Sequence, residues 1–303
     1  MGTLGLDLEA GRHLAATELY GDWYRDPWGW PEILNPQFVA RLDVEEHLGL
    51  EKGNVASSLQ PFFHSMEVPK TYLGVRPAVV QDPISRLAYN SAVLKGAGSL
   101  HSALPDWVYG WRLRNDGVAR NQQEWPRYVE SLPGVDENGH GLITDITSFF
   151  SSIELPRLLE IVRSAAGRTA SRDVIQQVLD AHARLLGRSG LPQRSFASAI
   201  LANSYMQPID DVLNAAVENW DSEVIRVRRW MDDISAEGSE DALYGLLPGI
   251  QDRARQIGLE INSAKTRLVP ARETAMDLRS ETLNLDPPMN WLVAGCRDEE
   301  SAF

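Results

Sequence analysis

In "GLITDITSFFSSI", residues 141–153, a short β-type apolar run places Asp145 near its end. Ser148 then reads as a helix cap, and "SFFSSIELPRLLEIV" turns to a helical period. In "DVIQQVLDAHARLLGRSG", residues 173–190, Ile175, Leu179, His182 and Leu186 recur at helical spacing, and Gly187 closes the pattern. After "GLPQ" a second helical pattern runs through Ile200. It sets Met206, Ile209, Leu213 and Ala216 on one stripe, with Pro208 as the point where the helix kinks or restarts. "SEVIRVRRWMDDISAEGS" reads as a strand, a tight turn at Asp232 and Asp233, and a second short strand. "ALYGLLPGIQDRARQIG", residues 242–258, carries Leu243, Leu246, Leu247, Ile250, Ala254 and Ile257 on one helical face, with Gly258 past its end. "LEINSAKTRLVP" reads as two short strands around a turn bearing Lys265. This order predicts an α+β fold with helices on one face of an antiparallel sheet.

Upstream, "VPKTYLGVRPAVVQDP" has Lys70 and Arg76 flanking a turn-like "YLG" and leads into an apolar run expected to be a strand. "DWVYGWRLRND", residues 106–116, mixes aromatics with Arg112 and Arg114. Residues 115–140 are polar, and "PGVDENGHG" marks a loop before the next strand. The N-terminal "DWYRDPWGWPEIL" offers Trp23, Trp28 and Trp30, which either pack a small core or stack on bases. Burial is the commoner fate of Trp. No internal repeat is visible.

With 303 residues and 43% apolar content, the chain can bury a sizeable core as one large domain or two smaller ones. Its one cysteine, Cys296, excludes an internal disulfide framework and a multi-cysteine zinc site. The N-terminus has early acidic residues and no long apolar core, unlike a signal peptide. No stretch approaches the ~18 uninterrupted apolar residues of a membrane span, so a soluble, cytoplasmic protein is expected. The formal charge of −13 argues against a nonspecific polyanion binder. It predicts that any nucleic acid is held in a narrow basic groove, with Lys70, Arg76 and Arg112 as its lining.

Asp232 and Asp233 pose a chemical question, because adjacent strand residues face opposite ways and like charges repel. Either they form a solvated turn, or a cation is expected there. If the strand ending at Asp145 neighbours the hairpin, three carboxylates converge. Hard cations such as Mg2+ take oxygen ligands, often one or two carboxylates together with substrate phosphates. Two such ions about 3.5–4 Å apart activate an attacking hydroxyl and stabilise a leaving phosphate oxygen.

Four stretches in order, "LITDITSFFSSI", "GLPQRSFASAILAN", "RRWMDD" and "GLEINSAKT", resemble motifs of bacterial reverse transcriptases, including those of retrons and group II introns. The resemblance covers roughly residues 66–270. It implies the fingers and palm of a right-hand polymerase, with a thumb that is short, absent or atypical. Residues 1–65 are then an N-terminal extension packing on the fingers and 66–140 the fingers. Residues 141–270 are the palm, with part of the fingers interleaved, and 271–303 a C-terminal segment where a thumb would begin.

The resemblance also implies roles. Asp145, Asp232 and Asp233 match the metal-binding carboxylates for two Mg2+ ions, with Mn2+ as a substitute and the Ile146 carbonyl as an extra ligand. Phe150 matches the aromatic gate under the sugar, although alone it reads as an ordinary core Phe; for Phe149 the core reading is preferred. Gln193 matches the residue beside the incoming nucleotide and template. Lys265 matches the lysine near the leaving pyrophosphate, a candidate acid, and reads almost equally as an exposed turn lysine. Lys70 and Arg76 resemble the residues that clamp the triphosphate, and Arg112 is placed facing nucleotide or template.

Some positions depart from the pattern. Arg194 stands where the family carries glycine, and Trp230 and Met231 are bulkier than the family's residues. The chain is most similar to abortive-infection and other defence-associated members. That likeness implies antiviral DNA synthesis from dNTPs on an RNA template or a non-coding RNA, without a template, or primed on a protein hydroxyl. A protein partner or homo-oligomer, and no membrane, complete the expectation. The other readings are a catalytically weak RNA-binding or assembly module on a retained palm, and a template-independent nucleotidyltransferase or RNA-primed RNA polymerase.

Overall fold

The helix Pro83–His101 is the centre of the helical part of the fold. Asp82 starts it by accepting the Ser85 N–H at 2.9 Å, with proline in the first turn where no intrahelical donor is lost. Helices Leu8–Glu18, Leu155–Ala166, Ala170–Ala183 and Phe196–Tyr205 lie against it. The helix Leu8–Glu18 comes so near at Gly11 that an added Cβ would stand 2.1 Å from Ser91 Oγ. From Ser85 to Val93 every residue of the central helix is buried, so this stretch carries no one-faced stripe. The apolar-polar pattern gave no warning of it.

The computed structural model describes residues 6–18, 35–41, 50–51, 54–55, 63–69, 75–114, 117–118, 121–132, 139–166, 170–185, 187–193, 195–219 and 223–274. Trp23, Trp28, Trp30, Lys70, Leu186, Arg194 and Cys296 lie outside them. Among the described residues, no helix is long and apolar enough to cross a membrane.

A five-stranded sheet has the order Arg267–Pro270, His140–Thr144, Asp233–Gly238, Val224–Trp230, Val108–Tyr109. Its first four strands pair antiparallel, but Val108–Tyr109 runs parallel to Val224–Trp230. The sheet is therefore mixed, which corrects the expectation of an antiparallel one. A parallel pair needs a long crossover, and the chain between these strands supplies it. Helices Gln207–Glu218 and Glu240–Gln256 pack on each other and on the sheet. Ser239 caps the second by accepting the Ala242 N–H at 3.3 Å. Pro208 restarts the chain after Met206 and does not kink a continuous helix.

Other expectations are revised. The polar segment 115–140 contains a helix, Asn121–Ser131, with Pro126 inside it. Helix Ala170–Ala183 stops before Gly187, which lies in the following loop with φ 71. Ser148 stands at the N-cap of Phe149–Ser152 with φ 48, but its side chain makes no capping bond. "LEINSAKTRLVP" forms one strand, Arg267–Pro270, preceded by a single bridge between Ile261 and Ile146. The hairpin Phe63–Pro69 with Val75–Gln81 pairs Arg76 with Val68.

Candidate functional site

The sheet register brings the three predicted carboxylates to one end of two neighbouring strands. Ile234 pairs with Thr144, so Asp145 continues the same register opposite Asp233, and Asp232 lies in the adjoining two-residue turn. Met231, the first turn residue, has φ 56, a left-handed conformation that side chains rarely adopt. Asp232 and Asp233 are half-buried, and Asp145 is buried.

The segment carrying Lys265 is tied to the Asp145 strand by main-chain bonds. Asn262 N–H donates to the Asp145 carbonyl at 2.7 Å, and Thr147 N–H donates to the Glu260 carbonyl at 2.8 Å. The hydroxyls of Thr144 and Thr266 meet at 2.8 Å. Within the turn, the Lys265 and Thr266 N–H groups donate to the Asn262 carbonyl. The result aims the Lys265 ammonium at the Asp145 carboxylate, to which it donates. Partial burial opposes the lysine's charge. The Asp145 bond and the charges of Asp145, Asp233 and Asp232 outweigh that and raise its pKa above the ordinary range. Lys265 thus registers all three carboxylates electrostatically.

Three carboxylates at adjacent strand ends are oxygen donors of the kind hard divalent cations take, and the ammonium against Asp145 stands where such a cation's charge would act. Among the described residues, no group of three His, Cys, Asp or Glu side chains forms a ready-made metal cluster.

Ile146 is buried and bridges Ile261. Phe149 is buried and Phe150 half-buried, their rings 5.5 Å apart. The "GLPQ" loop is held against Phe150, whose carbonyl accepts the Leu191 N–H at 2.8 Å, while Ser189 Oγ donates to the Ser151 carbonyl at 2.9 Å. Gly190 takes φ 63 there, and an added Cβ would stand 2.1 Å from the Phe150 oxygen. His182 Nδ1 donates to the Gly190 carbonyl at 3.2 Å. Burial lowers this imidazole's pKa to about 4, so it is neutral near pH 7. Gln193 is half-buried, just before the helix Phe196–Tyr205. Lys70 and the Arg76 side chain are outside the described residues.

Arg112 is corrected. It is 5% exposed, and its guanidinium donates to the carbonyls of Pro105, Val108 and Leu104 at 2.5, 2.9 and 3.0 Å. Burial first, and then the charge of Arg114, lower its pKa to about 10. Both terminal nitrogens are engaged by the loop that follows the central helix, and its Nε is buried, so it does not line a groove for nucleotide or template.

Sequence reasoning missed a buried ion pair and a buried carboxylate near the site. Arg229 pairs with Asp210 directly behind the Asp232 turn. Glu18 accepts the Phe196 N–H and so joins the N-terminal helix to the helix that follows "GLPQ". The sequence held only a partial signal: two adjacent arginines in a strand face opposite sides, and both are buried, but nothing in it names Asp210 as the partner of Arg229. A charge at such a position demands a buried partner.

A comparison with curated proteins finds no match. The family model described as Reverse transcriptase (RNA-dependent DNA polymerase) matches residues 88–278, which include all three carboxylates and the Lys265 turn, and the chain belongs to that family.

Proposed function

We propose that this chain synthesises DNA from dNTPs by nucleotidyl transfer, with Asp145, Asp232 and Asp233 holding two Mg2+ ions for which Mn2+ can substitute. The observation that carries the reading is the strand register, which pairs Ile234 with Thr144 and so brings Asp145 and Asp233 to the same end of neighbouring strands, with Asp232 in the adjoining turn. Magnesium held by Asp145, Asp232 and Asp233 would lower the pKa of an attacking hydroxyl and offset charge on the triphosphate. The primer oxygen forms a bond to the α-phosphorus, the bond from that phosphorus to the bridging oxygen breaks, and pyrophosphate leaves. Lys265 donates a proton to the pyrophosphate, and the hydroxyl's proton passes to solvent. Phe150 underlies the sugar and excludes a 2′-hydroxyl. Gln193 lies beside nucleotide and template, the Ile146 carbonyl is an added ligand, and Lys70 and Arg76 grip the triphosphate.

The template in this reading is RNA or a bound non-coding RNA, and the setting is antiviral defence in a bacterial cytoplasm. The likeness of the four motifs, and Arg194 in place of the family's glycine, support that assignment over intron mobility. Purified protein with Mg2+ and labelled dNTPs, supplied singly and together, with and without RNase, should give labelled DNA. Asp232→Ala with Asp233→Ala should abolish it. Equal incorporation by wild type and the double variant would remove the catalytic assignment.

A second reading, a catalytically weak RNA-binding or assembly module, draws on the Lys265 ammonium already engaging Asp145. Co-purified RNA with no dNTP turnover on any template would favour it.

A further inference from the structure

Behind the hairpin turn lies a closed polar network that the proposed chemistry does not use. Arg229 and Asp210 are 0% and 1% exposed. Arg229 donates through Nε and Nη2 to the two Asp210 carboxylate oxygens at 2.7 and 2.6 Å. Its Nη1 donates to Asn203 Oδ1 and to the Met231 carbonyl, both at 2.9 Å. Asn203 donates through Nδ2 to the carbonyls of Gly110 and Trp111 at 2.9 and 3.2 Å.

The carbonyls held in this way belong to strained backbone. Among the described residues, Trp111, Ser148 and Met231 are the non-glycine residues with positive φ, and Trp111 and Met231 are both held by this network. Such conformations persist where the surroundings over-determine them. Trp230 lies between the two turns. An added Cβ on Gly110 would stand 3.0 Å from its ring, and its centroid is 6.0 Å from that of Trp111.

A buried ion pair is a poor way to add stability, since apolar replacements of similar volume often serve as well. The geometry gives this pair another task. A guanidinium is a rigid planar fork, so gripping Asp210 with one edge fixes the direction of the remaining nitrogen. That nitrogen points at the Met231 carbonyl, one residue before Asp232.

We propose that Arg229, braced by Asp210 and Asn203, is a positioning residue that fixes the left-handed Met231 turn and thereby the placement of Asp232 and Asp233 against Asp145. The claim rests on the metal-dependent reading of those carboxylates. The test compares wild type with Arg229→Met/Asp210→Leu, which removes the fork without stranding a buried charge. Its melting temperature should stay near that of wild type. Its Mn2+ dissociation constant, read by electron paramagnetic resonance of free Mn2+, should rise about tenfold. Its kcat should fall about 100-fold while KM for dNTP stays within about twofold. Unchanged Mn2+ affinity and kcat overturn the positioning role. Should the double variant not fold, Arg229→Lys takes its place. A point charge satisfies Asp210 without reaching Met231, so the same two losses support the role and wild-type values overturn it. Wild-type protein that neither binds Mn2+ nor incorporates dNTPs removes the underlying metal reading, and the positioning role falls with it.

Discussion

Lys265 donates from its ammonium to the carboxylate of Asp145, 120 positions earlier in the chain. The lysine side chain is 61% exposed and the aspartate side chain 9%, so the partner open to solvent is the lysine. A divalent cation and this ammonium compete for the same oxygens. Lys265→Met should therefore tighten Mn2+ binding. It should also slow turnover about 100-fold, the loss expected when a general acid is removed. Calorimetric Mn2+ titration and single-turnover incorporation read the two effects separately. A fall in both would make Lys265 a support for its turn and not an acid.

Gly190 is required by space as well as by backbone angle. An alanine would carry its methyl into the Phe150 carbonyl and sit at φ 63. The loop would have to move, breaking the Leu191 bond to Phe150. Gly190→Ala should cost about 3 kcal/mol by denaturant titration. It should also loosen the choice of dNTP over rNTP, because the loop that locks Phe150 is displaced. Phe150→Ala should relax the same ratio with less loss of stability.

Acid should destabilise the fold through two neutral histidines. His101 accepts the Leu113 N–H at Nδ1, at 2.9 Å, and its Nε2 donates to the Ile200 carbonyl at 3.0 Å. Burial lowers its pKa from 6.5 to about 4, and that of His182 likewise. Both are neutral in the fold at pH values where the unfolded chain already binds protons. The stability they contribute is whole above about pH 6.5 and is lost as pH falls toward 4, by up to about 3 kcal/mol for each. Unfolding free energies at pH 8, 6 and 5 should trace this slope, and His101→Gln should flatten part of it.

Elements with one buried and one exposed face were legible before any coordinates. The helix Glu240–Gln256 forms where a 3.6-residue period announces it, whereas the hairpin Val224–Trp230 with Asp233–Gly238, buried over most of both strands, was marked by its β-type residues and tight turn. Helix Pro83–His101 was illegible because burial of every residue from Ser85 to Val93 erases that contrast, and Asn121–Ser131 was hidden by its polar residues and Pro126. A two-residue strand such as Val108–Tyr109 carries no local sign of its parallel partner. At the site, carboxylate chemistry could be read because oxygen donors are recognisable by type. The Arg229 network was not read, since its purpose depends on Asp210 and Asn203, which meet it only after folding.

Arg112 separates a charge that binds nucleic acid from one that binds its own chain. In sequence it stands among aromatics and beside Arg114, a composition that suits a groove for phosphates. In the fold it is buried, its donors directed at the Leu104, Pro105 and Val108 carbonyls, while Arg114 is held by Glu124 at 2.7 Å. Replacing Arg112 with methionine keeps much of the side chain's volume and leaves three carbonyls without that donor. Stability should fall by about 3 kcal/mol, near 1 for each bond lost. A phosphate-binding arginine would behave differently: its loss lowers the dependence of nucleic-acid affinity on salt by about one counterion. Measured on template–primer at several salt concentrations, Arg112→Met should leave that slope unchanged. A shallower slope with unaltered stability would return Arg112 to the nucleic-acid groove.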